Sequence, residues 1–174
     1  MKPPLIVGAS NDFQTPPQAL MPLLPYIDSD WVVWECACGE GYLSSELLRR
    51  GFSVISSDIM CSQEQDFLSW EPSCWDCVIT NPPFSLKQKF LERAYQLRKP
   101  FALLLPLTTL ETAKRQHLFQ EYGVEIVLFD KRINFITPSK KQDSSSWFAT
   151  AWFTHGLGIG KELSFVHLAE KELE

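Results

Sequence analysis

Residues 31–41, WVVWECACGEG, are the part of this chain that most clearly indicates its fold class. Its first half, Trp31 to Glu35, is an apolar run typical of a buried strand, and Gly39 and Gly41 follow directly. From Tyr42 to Arg50 the apolar residues recur at helical spacing, and Gly51 ends that segment. The order strand, glycine-rich turn, helix is the opening unit of an α/β fold that can bring backbone close to a ligand.

The same alternation continues to the end of the chain. The sequence predicts further strands at Phe52 to Ser57, Cys77 to Thr80, Phe101 to Leu105, Val124 to Phe129 and Trp147 to Phe153. Helices are predicted from Thr15, over Leu86 to Leu97 and over Leu110 to Tyr122. Only 16 residues separate Asp58 from Trp75, so the crossover there must be abbreviated. Repeated alternation indicates an α/β fold, a mostly parallel sheet with helices on both faces.

Length and composition indicate one globular domain. The 174 residues, 45% hydrophobic and 21% charged, are predicted to form a single domain over 1–174. We expect an intracellular protein without a membrane partner, because no long apolar run and no signal-peptide apolar region is present. The Gly-Leu-Gly-Ile-Gly stretch at 156–160 follows the last predicted strand, and we expect a flexible turn and a short tail.

Five cysteines do not indicate disulfides or a metal. An odd number argues against a closed disulfide framework. Cys74 and Cys77 lead into one predicted strand, whereas Cys36 and Cys38 lie at the exit of another. In a parallel sheet the two pairs fall at opposite ends, so we expect buried thiols and no metal site.

Asn81-Pro82-Pro83-Phe84, at the end of the Cys77 to Thr80 strand, has an unusually narrow chemistry. The prolines favour extended backbone, so the Asn81 amide oxygen and the Pro82 carbonyl can point at one spot. Two acceptors converging there would grip a planar exocyclic amine, and Phe84 could stack on the ring that carries it. The alternative is a strand-ending turn, since Asn-Pro pairs are common in turns.

Asp58 ends the second predicted strand, where a carboxylate can accept from ribose hydroxyls. Asp66-Phe67 adds a second carboxylate for an adenine amino group and a ring to pack near it. The dinucleotide-binding fingerprint fails, because Ser44 stands where a third glycine is required.

These motifs together resemble the class I S-adenosylmethionine-dependent amino-methyltransferases, in particular compact, phage-type DNA adenine N6-methyltransferases. The resemblance is carried by Asn11-Asp-Phe-Gln-Thr-Pro16, by Glu35-Cys-Ala-Cys-Gly-Glu-Gly41, by Asp58, by Asp66-Phe-Leu68 and by Asn81-Pro-Pro-Phe84. It implies a Rossmann-like fold with a mostly parallel seven-stranded sheet whose last strand is antiparallel. It departs from the family at Cys36, where the family frequently has proline.

The resemblance also implies roles for individual residues. Around the cofactor, S-adenosylmethionine, we expect Phe13, Thr15, Glu35, Ala37, Gly39, Asp58, Ile59, Asp66 and Phe67. By the same resemblance, we expect the catalytic residues to be Asn81, Pro82, Pro83 and Phe84, with direct transfer of the methyl group to the target amine. Phe135 is expected to back a flipped base, with Arg132 and Lys87 beside the substrate.

The substrate stays less defined than the chemistry. DNA adenine is favoured, while RNA adenine, a protein glutamine amide, or a non-enzymatic methyltransferase-like binding subunit remain alternatives. The net charge of −5 does not indicate a nucleic-acid binder, although basic residues cluster after Phe84 and around 131–141. The 131–146 loop is the candidate substrate-recognition element, and it is short, so we expect loose specificity or a recognition subunit as partner.

Overall fold

The computed structural model describes residues 13–136 and 148–170. Within them lies a seven-stranded sheet of order β2-β1-β3-β4-β6-β5-β7. Its strands are β1 (Val32–Glu35), β2 (Ser53–Ser56), β3 (Cys77–Thr80), β4 (Phe101–Pro106), β5 (Glu125–Phe129), β6 (Thr150–His155) and β7 (Leu163–Val166). Strand β6 runs antiparallel to β4 and β5, and the other pairs are parallel. The predicted fold class is confirmed.

The end of the sheet differs from the prediction. The antiparallel strand is β6, and β7 follows it and pairs parallel to β5. The sequence predicted only a tail there, because an edge strand with outward side chains has no buried pattern: Phe165 is 77% exposed. Strand β6 also begins at Thr150 rather than at Trp147, which lies outside the described residues.

The helices are α1 (Tyr42–Arg49), α2 (Lys87–Gln96) and α3 (Ala113–Tyr122). The helix predicted from Thr15 is replaced by two 3₁₀ segments, Pro17–Ala19 and Met21–Tyr26. Prolines in this stretch remove the backbone donors that an α-helix needs. A 3₁₀ turn, Leu107–Glu111, likewise precedes α3 in place of the first turn predicted for that helix.

Two apolar clusters cover the two faces of the sheet. On one face, Leu43 and Leu47 of α1 pack with Trp152 of β6. On the other face, Phe90 and Leu91 of α2 pack with Trp34, and the abbreviated 59–74 segment adds Phe67. Helices on both faces are therefore confirmed, and the abbreviated segment forms a 3₁₀ turn at Gln63–Gln65 without a strand.

The cysteines lie as the predicted strands place them. Cys77 opens β3 and pairs with Val33 in β1, whereas Cys36 and Cys38 follow the far end of β1. All five cysteines are free. Among residues 13–136 and 148–170, no group of three or more His, Cys, Asp or Glu side chains is arranged to hold a metal ion. In the same ranges, no helix combines the length and the apolar character that crossing a membrane requires.

Candidate active site

A cavity of about 510 Å³ lies where the carboxyl ends of β1, β2 and β3 meet. Its size is in the usual range for a small-molecule site, and the carboxyl edge of a parallel sheet is the usual place for one. The nine residues expected around a cofactor all line it: Phe13, Thr15, Glu35, Ala37, Gly39, Asp58, Ile59, Asp66 and Phe67. Residues from the separate sequence motifs therefore line one cavity.

The glycine-rich turn is held open by a carboxylate from the neighbouring strand. Gly39 and Gly41 have φ values of 51° and 81°, in the left-handed region that favours glycine. Asp58, at the end of β2, accepts the Gly39 N–H at Oδ2 (2.9 Å) and the Met60 N–H at Oδ1 (2.8 Å). Asp58 thus fixes the turn, and each oxygen keeps a second lone pair for a ligand hydroxyl.

Glu35 is a buried acid in the cavity wall. It is 2% exposed, and burial raises its pKa to about 8, so that the carboxyl is mostly protonated at neutral pH. The Ser44 hydroxyl donates to Glu35 Oε2 and lies 2.6 Å from the Ser56 hydroxyl. Ser44, which breaks the dinucleotide fingerprint, therefore positions the acid instead.

Asn81, at the exit of β3, has one half of its amide engaged and the other half free. Its Nδ2 donates to the Phe13 carbonyl at 2.9 Å. A carbonyl can only accept, so this bond sets the orientation of the amide. Asn81 Oδ1 is buried and has no hydrogen-bond partner among residues 13–136 and 148–170, and the residue lines the cavity. The arrangement leaves an acceptor that is costly to keep unpaired unless a ligand donor reaches it.

The other three residues of the motif surround Asn81 differently. Pro83 lines the cavity, whereas Pro82 is buried and forms no part of the lining. Phe84 is half-buried, and its ring centroid lies 5.4 Å from that of Phe148, edge to face. The convergence of the Pro82 carbonyl with the Asn81 amide stays a prediction.

Phe135 does not lie where a base-stacking aromatic is expected. Its ring is 2% exposed and packs beneath Phe13 (5.8 Å between centroids) and Phe84 (6.3 Å). The sequence could not show this, because an aromatic in a polar segment carries no burial pattern. Phe135 supports the rings beside the cavity, and half-buried Phe148 is the more accessible partner of Phe84.

The two expected substrate cations lie outside the cavity lining. Lys87 Nζ donates to the Phe84 carbonyl at 3.3 Å, and Arg132 is exposed on the segment after β5. Of the 131–146 recognition loop, the structure describes 131–136, and 137–146 lie outside the described residues, as do Asn11 and Asp12.

Phe67 and Asp66 have structural partners as well as cavity positions. The Phe67 ring is 2% exposed and stacks on Phe90 with centroids 4.7 Å apart. Asp66 Oδ1 accepts the Leu68 N–H at 2.9 Å. The 66–68 turn is therefore preformed before any ligand contacts it.

Sequence reasoning missed part of the cavity wall. The additional lining residues include Gln14, Cys36, Cys38, Leu43, Met60, Leu68, Ser85, Leu86 and Phe90. Most of them neighbour a predicted residue in the chain, which is the signal that could have identified them. Leu43 and Phe90 come from helices, and only the packing of α1 and α2 on the sheet brings them to the cavity.

Comparisons with known proteins add the fold and nothing finer. No family model matches the chain, and no curated protein matches it in sequence. Among solved structures, it is similar to the modification subunit of a proposed type I restriction enzyme from Vibrio vulnificus YJ016, at 15% identity and a TM-score of 0.57 over 95% of this chain. The chain spans only 49% of that subunit.

A second similar structure is a proposed RNA methyltransferase from Pyrococcus horikoshii, at 16% identity and a TM-score of 0.53, with 79% of each chain covered. The chain therefore shares the Rossmann-like fold of these two structures.

Proposed function

We propose that this protein is an S-adenosylmethionine-dependent adenine N6-methyltransferase that acts on DNA. The observation that carries the proposal is the Asn81 amide: Nδ2 donates to the Phe13 carbonyl, and buried Oδ1, at the cavity wall, has no partner within the part of the chain that the structure describes. An exocyclic amine on a planar ring suits this acceptor, because one of its N–H groups can donate to Asn81 Oδ1.

The residues around the cavity fit the proposed cofactor. Thr15 lines the cavity, and its buried Oγ1, like Asn81 Oδ1, has no hydrogen-bond partner among the described residues. The Gly39 turn lets backbone approach a ligand, and Asp58 keeps free lone pairs for the ribose hydroxyls. Glu35 supplies a buried carboxyl close by. When bound, S-adenosylmethionine supplies an electrophilic methyl group.

The chain's own contribution is orientation of the amine. A conjugated exocyclic amine is a poor nucleophile, because its lone pair is delocalised into the ring. Asn81 Oδ1 accepts one N–H, which holds the nitrogen in place and favours the positive charge that develops on it. The Pro82 carbonyl is proposed to accept the second N–H. No general base is needed, since the proton can leave to water after the methyl group has arrived.

Phe84 is proposed to stack on the target base. A base in duplex DNA must leave the helix to reach a cavity of this kind, and an aromatic face replaces part of the lost stacking. Phe84 follows Asn81 by three residues, is half-buried and lies outside the cavity lining, and Phe148 lies edge to face against it. Lys87 and Arg132 are proposed to contact the backbone of the substrate.

DNA is the proposed polymer for two reasons. The Phe13-Gln-Thr-Pro16 and Asn81-Pro-Pro-Phe84 motifs resemble those of DNA adenine enzymes. The chain also resembles a modification subunit of a proposed restriction enzyme and spans half its length. A separate recognition subunit is proposed as a partner.

The test is transfer of a labelled methyl group from S-adenosylmethionine to four acceptors in parallel: duplex DNA, single-stranded DNA, RNA and a glutamine-containing protein. We expect label in DNA as N6-methyladenine, identified by mass spectrometry of the nucleosides. Label found only in RNA or only in glutamine would contradict the assignment of DNA as the substrate. Failure to bind the cofactor in calorimetry would contradict the proposed enzymatic activity and favour the alternative of a non-enzymatic binding subunit.

A further inference from the structure

Residues 13–15, here called the strap, line the cavity and form hydrogen bonds with three other segments of the chain. The backbone of Gln14 pairs with Ile136 through two hydrogen bonds, Gln14 N–H to Ile136 O (3.0 Å) and Ile136 N–H to Gln14 O (2.9 Å). The Phe13 carbonyl accepts from Asn81 Nδ2 at 2.9 Å. The strap thus connects the segment after β5 to the proposed catalytic amide.

The third attachment is the Gln14 side chain. Its Oε1 accepts the Glu40 N–H at 3.2 Å, inside the glycine-rich turn. A Cβ on Gly39 would lie 2.5 Å from Gln14 Nε2, so this amide fills the space that the missing side chain leaves. The side chain is half-buried and lines the cavity. Gln14 therefore packs on the turn that the cofactor is proposed to contact.

A single short segment consequently spans both halves of the site. The glycine turn follows β1, and Asn81 follows β3, so the two belong to different elements of the sheet. Within the described residues, the hydrogen bonds from Glu40 to Gln14 and from Asn81 to Phe13 join them through two consecutive residues. The Gln14 side chain thus contacts the glycine turn, and the carbonyl of the preceding residue, Phe13, contacts the Asn81 amide.

We propose that Gln14 is a positioning residue, which transmits occupancy of the glycine turn to the orientation of the Asn81 amide. The proposal rests on the function proposed above. It predicts that the cofactor site and the acceptor site are thermodynamically coupled, with Gln14 as the link. Coupling of this kind is reciprocal, so each ligand must raise the affinity of the other by the same factor.

Two variants separate the hydrogen bond from the volume of the side chain. Gln14→Met keeps an unbranched side chain of similar size and removes the acceptor for the Glu40 N–H. Gln14→Glu keeps an acceptor at that position. Gln96→Met, on the exposed side of α2, makes the same substitution away from the cavity and is the matched control.

The experiment measures kcat and KM for S-adenosylmethionine, and the affinity for an oligonucleotide of the methylated polymer with and without S-adenosylhomocysteine. In Gln14→Met we expect kcat to fall about fivefold, the net effect of one hydrogen bond. We also expect the effect of S-adenosylhomocysteine on oligonucleotide affinity to disappear. Gln14→Glu should stay within about twofold of the wild type on both measures, and Gln96→Met should match the wild type.

The outcomes distinguish this proposal from the one it rests on. If the wild type transfers no methyl group, the proposed function is overturned, and the role of Gln14 with it. If the wild type is active and Gln14→Met keeps both its kcat and its coupling, the positioning role alone is overturned. A fall in thermal stability of Gln14→Met with unchanged kcat and coupling would likewise assign Gln14 to folding and overturn the proposal.

Discussion

Replacing Asn81 by alanine tests the centre of the proposed mechanism. The change removes two interactions of different kinds: the donor to the Phe13 carbonyl and the free acceptor Oδ1. The first is a neutral hydrogen bond within the folded protein, which contributes about 1 kcal/mol to the free energy of unfolding. The second, Oδ1, accepts no hydrogen bond from the described residues, so its removal breaks no bond in the folded protein and takes away the contact that is proposed to form with the amine.

The magnitude of the catalytic loss follows from the charge that develops on the amine. Hydrogen bonds to a charged group contribute about 1.5–3 kcal/mol, and each 1.4 kcal/mol is tenfold in rate, so kcat should fall about 10- to 150-fold. Losing the Phe13 tether adds disorder at the same atom, and we expect a value near the upper end. The melting temperature should fall by only about 2–4 °C for about 1 kcal/mol in a chain of this size.

The assay is methyl transfer to the polymer identified for the wild type, with S-adenosylmethionine saturating and the cofactor affinity measured separately. Gln96→Ala, at an exposed amide side chain of α2 away from the cavity lining, is the matched control and should retain wild-type kcat. Asn81→Ala should bind the cofactor with nearly unchanged affinity. If it keeps more than half of the wild-type kcat, Asn81 does not grip the amine and the reasoning fails.

Three further predictions concern the cofactor half of the site. Burial raises the pKa of Glu35 from 4.5 to about 8, so the folded state holds a proton that the unfolded state releases as the pH rises. The free energy of unfolding should therefore fall between about pH 5 and pH 8, by up to the order of 5 kcal/mol. In urea titrations, Glu35→Gln should show a smaller fall over the same pH range. Identical pH profiles would contradict it. Gly39→Ala places a Cβ 2.5 Å from Gln14 Nε2, and it should weaken cofactor binding, measured by calorimetry, at least about tenfold. The control is Gly51→Ala, which is also at positive φ but has open space around its Cβ. It should lower only the melting temperature and leave cofactor binding unchanged. Asp58→Ala removes both acceptors that fix the glycine turn, and cofactor affinity should fall more than about tenfold; unchanged affinity would show that the turn holds without it.

Local pattern was enough to predict most of the sheet. The Cys77 to Thr80 strand has the bounds predicted from its apolar run, and α1 ends at Arg49, one residue before the predicted end at Arg50. The failures have physical causes. Prolines convert the first predicted helix to 3₁₀ turns, and β7 is an edge strand whose Phe165 side chain is exposed, so its sequence has no core-facing signal.

Most of the candidate site could also be predicted from the sequence, because its polar residues follow the ends of predicted strands. Polar residues that end parallel strands meet at one edge, so Glu35, Asp58 and Asn81 fall around one cavity as expected. Their binding roles stay predictions. Phe135 was placed at the substrate from its position in the chain, and the structure buries it, because its burial depends on Phe13 and Phe84, both more than 50 residues away.

Residue type, spacing and local backbone preference predict the α/β class, the glycine-rich turn after β1 and the chemistry proposed for Asn81-Pro-Pro-Phe84. The packed fold shows that the Asn81 amide nitrogen donates to Phe13, that Asp58 accepts the Gly39 N–H, and that Gln14 contacts the glycine-rich turn. Sequence patterns could not predict these three contacts, because each hydrogen bond joins residues between 19 and 68 positions apart and local patterns carry no information over such a separation.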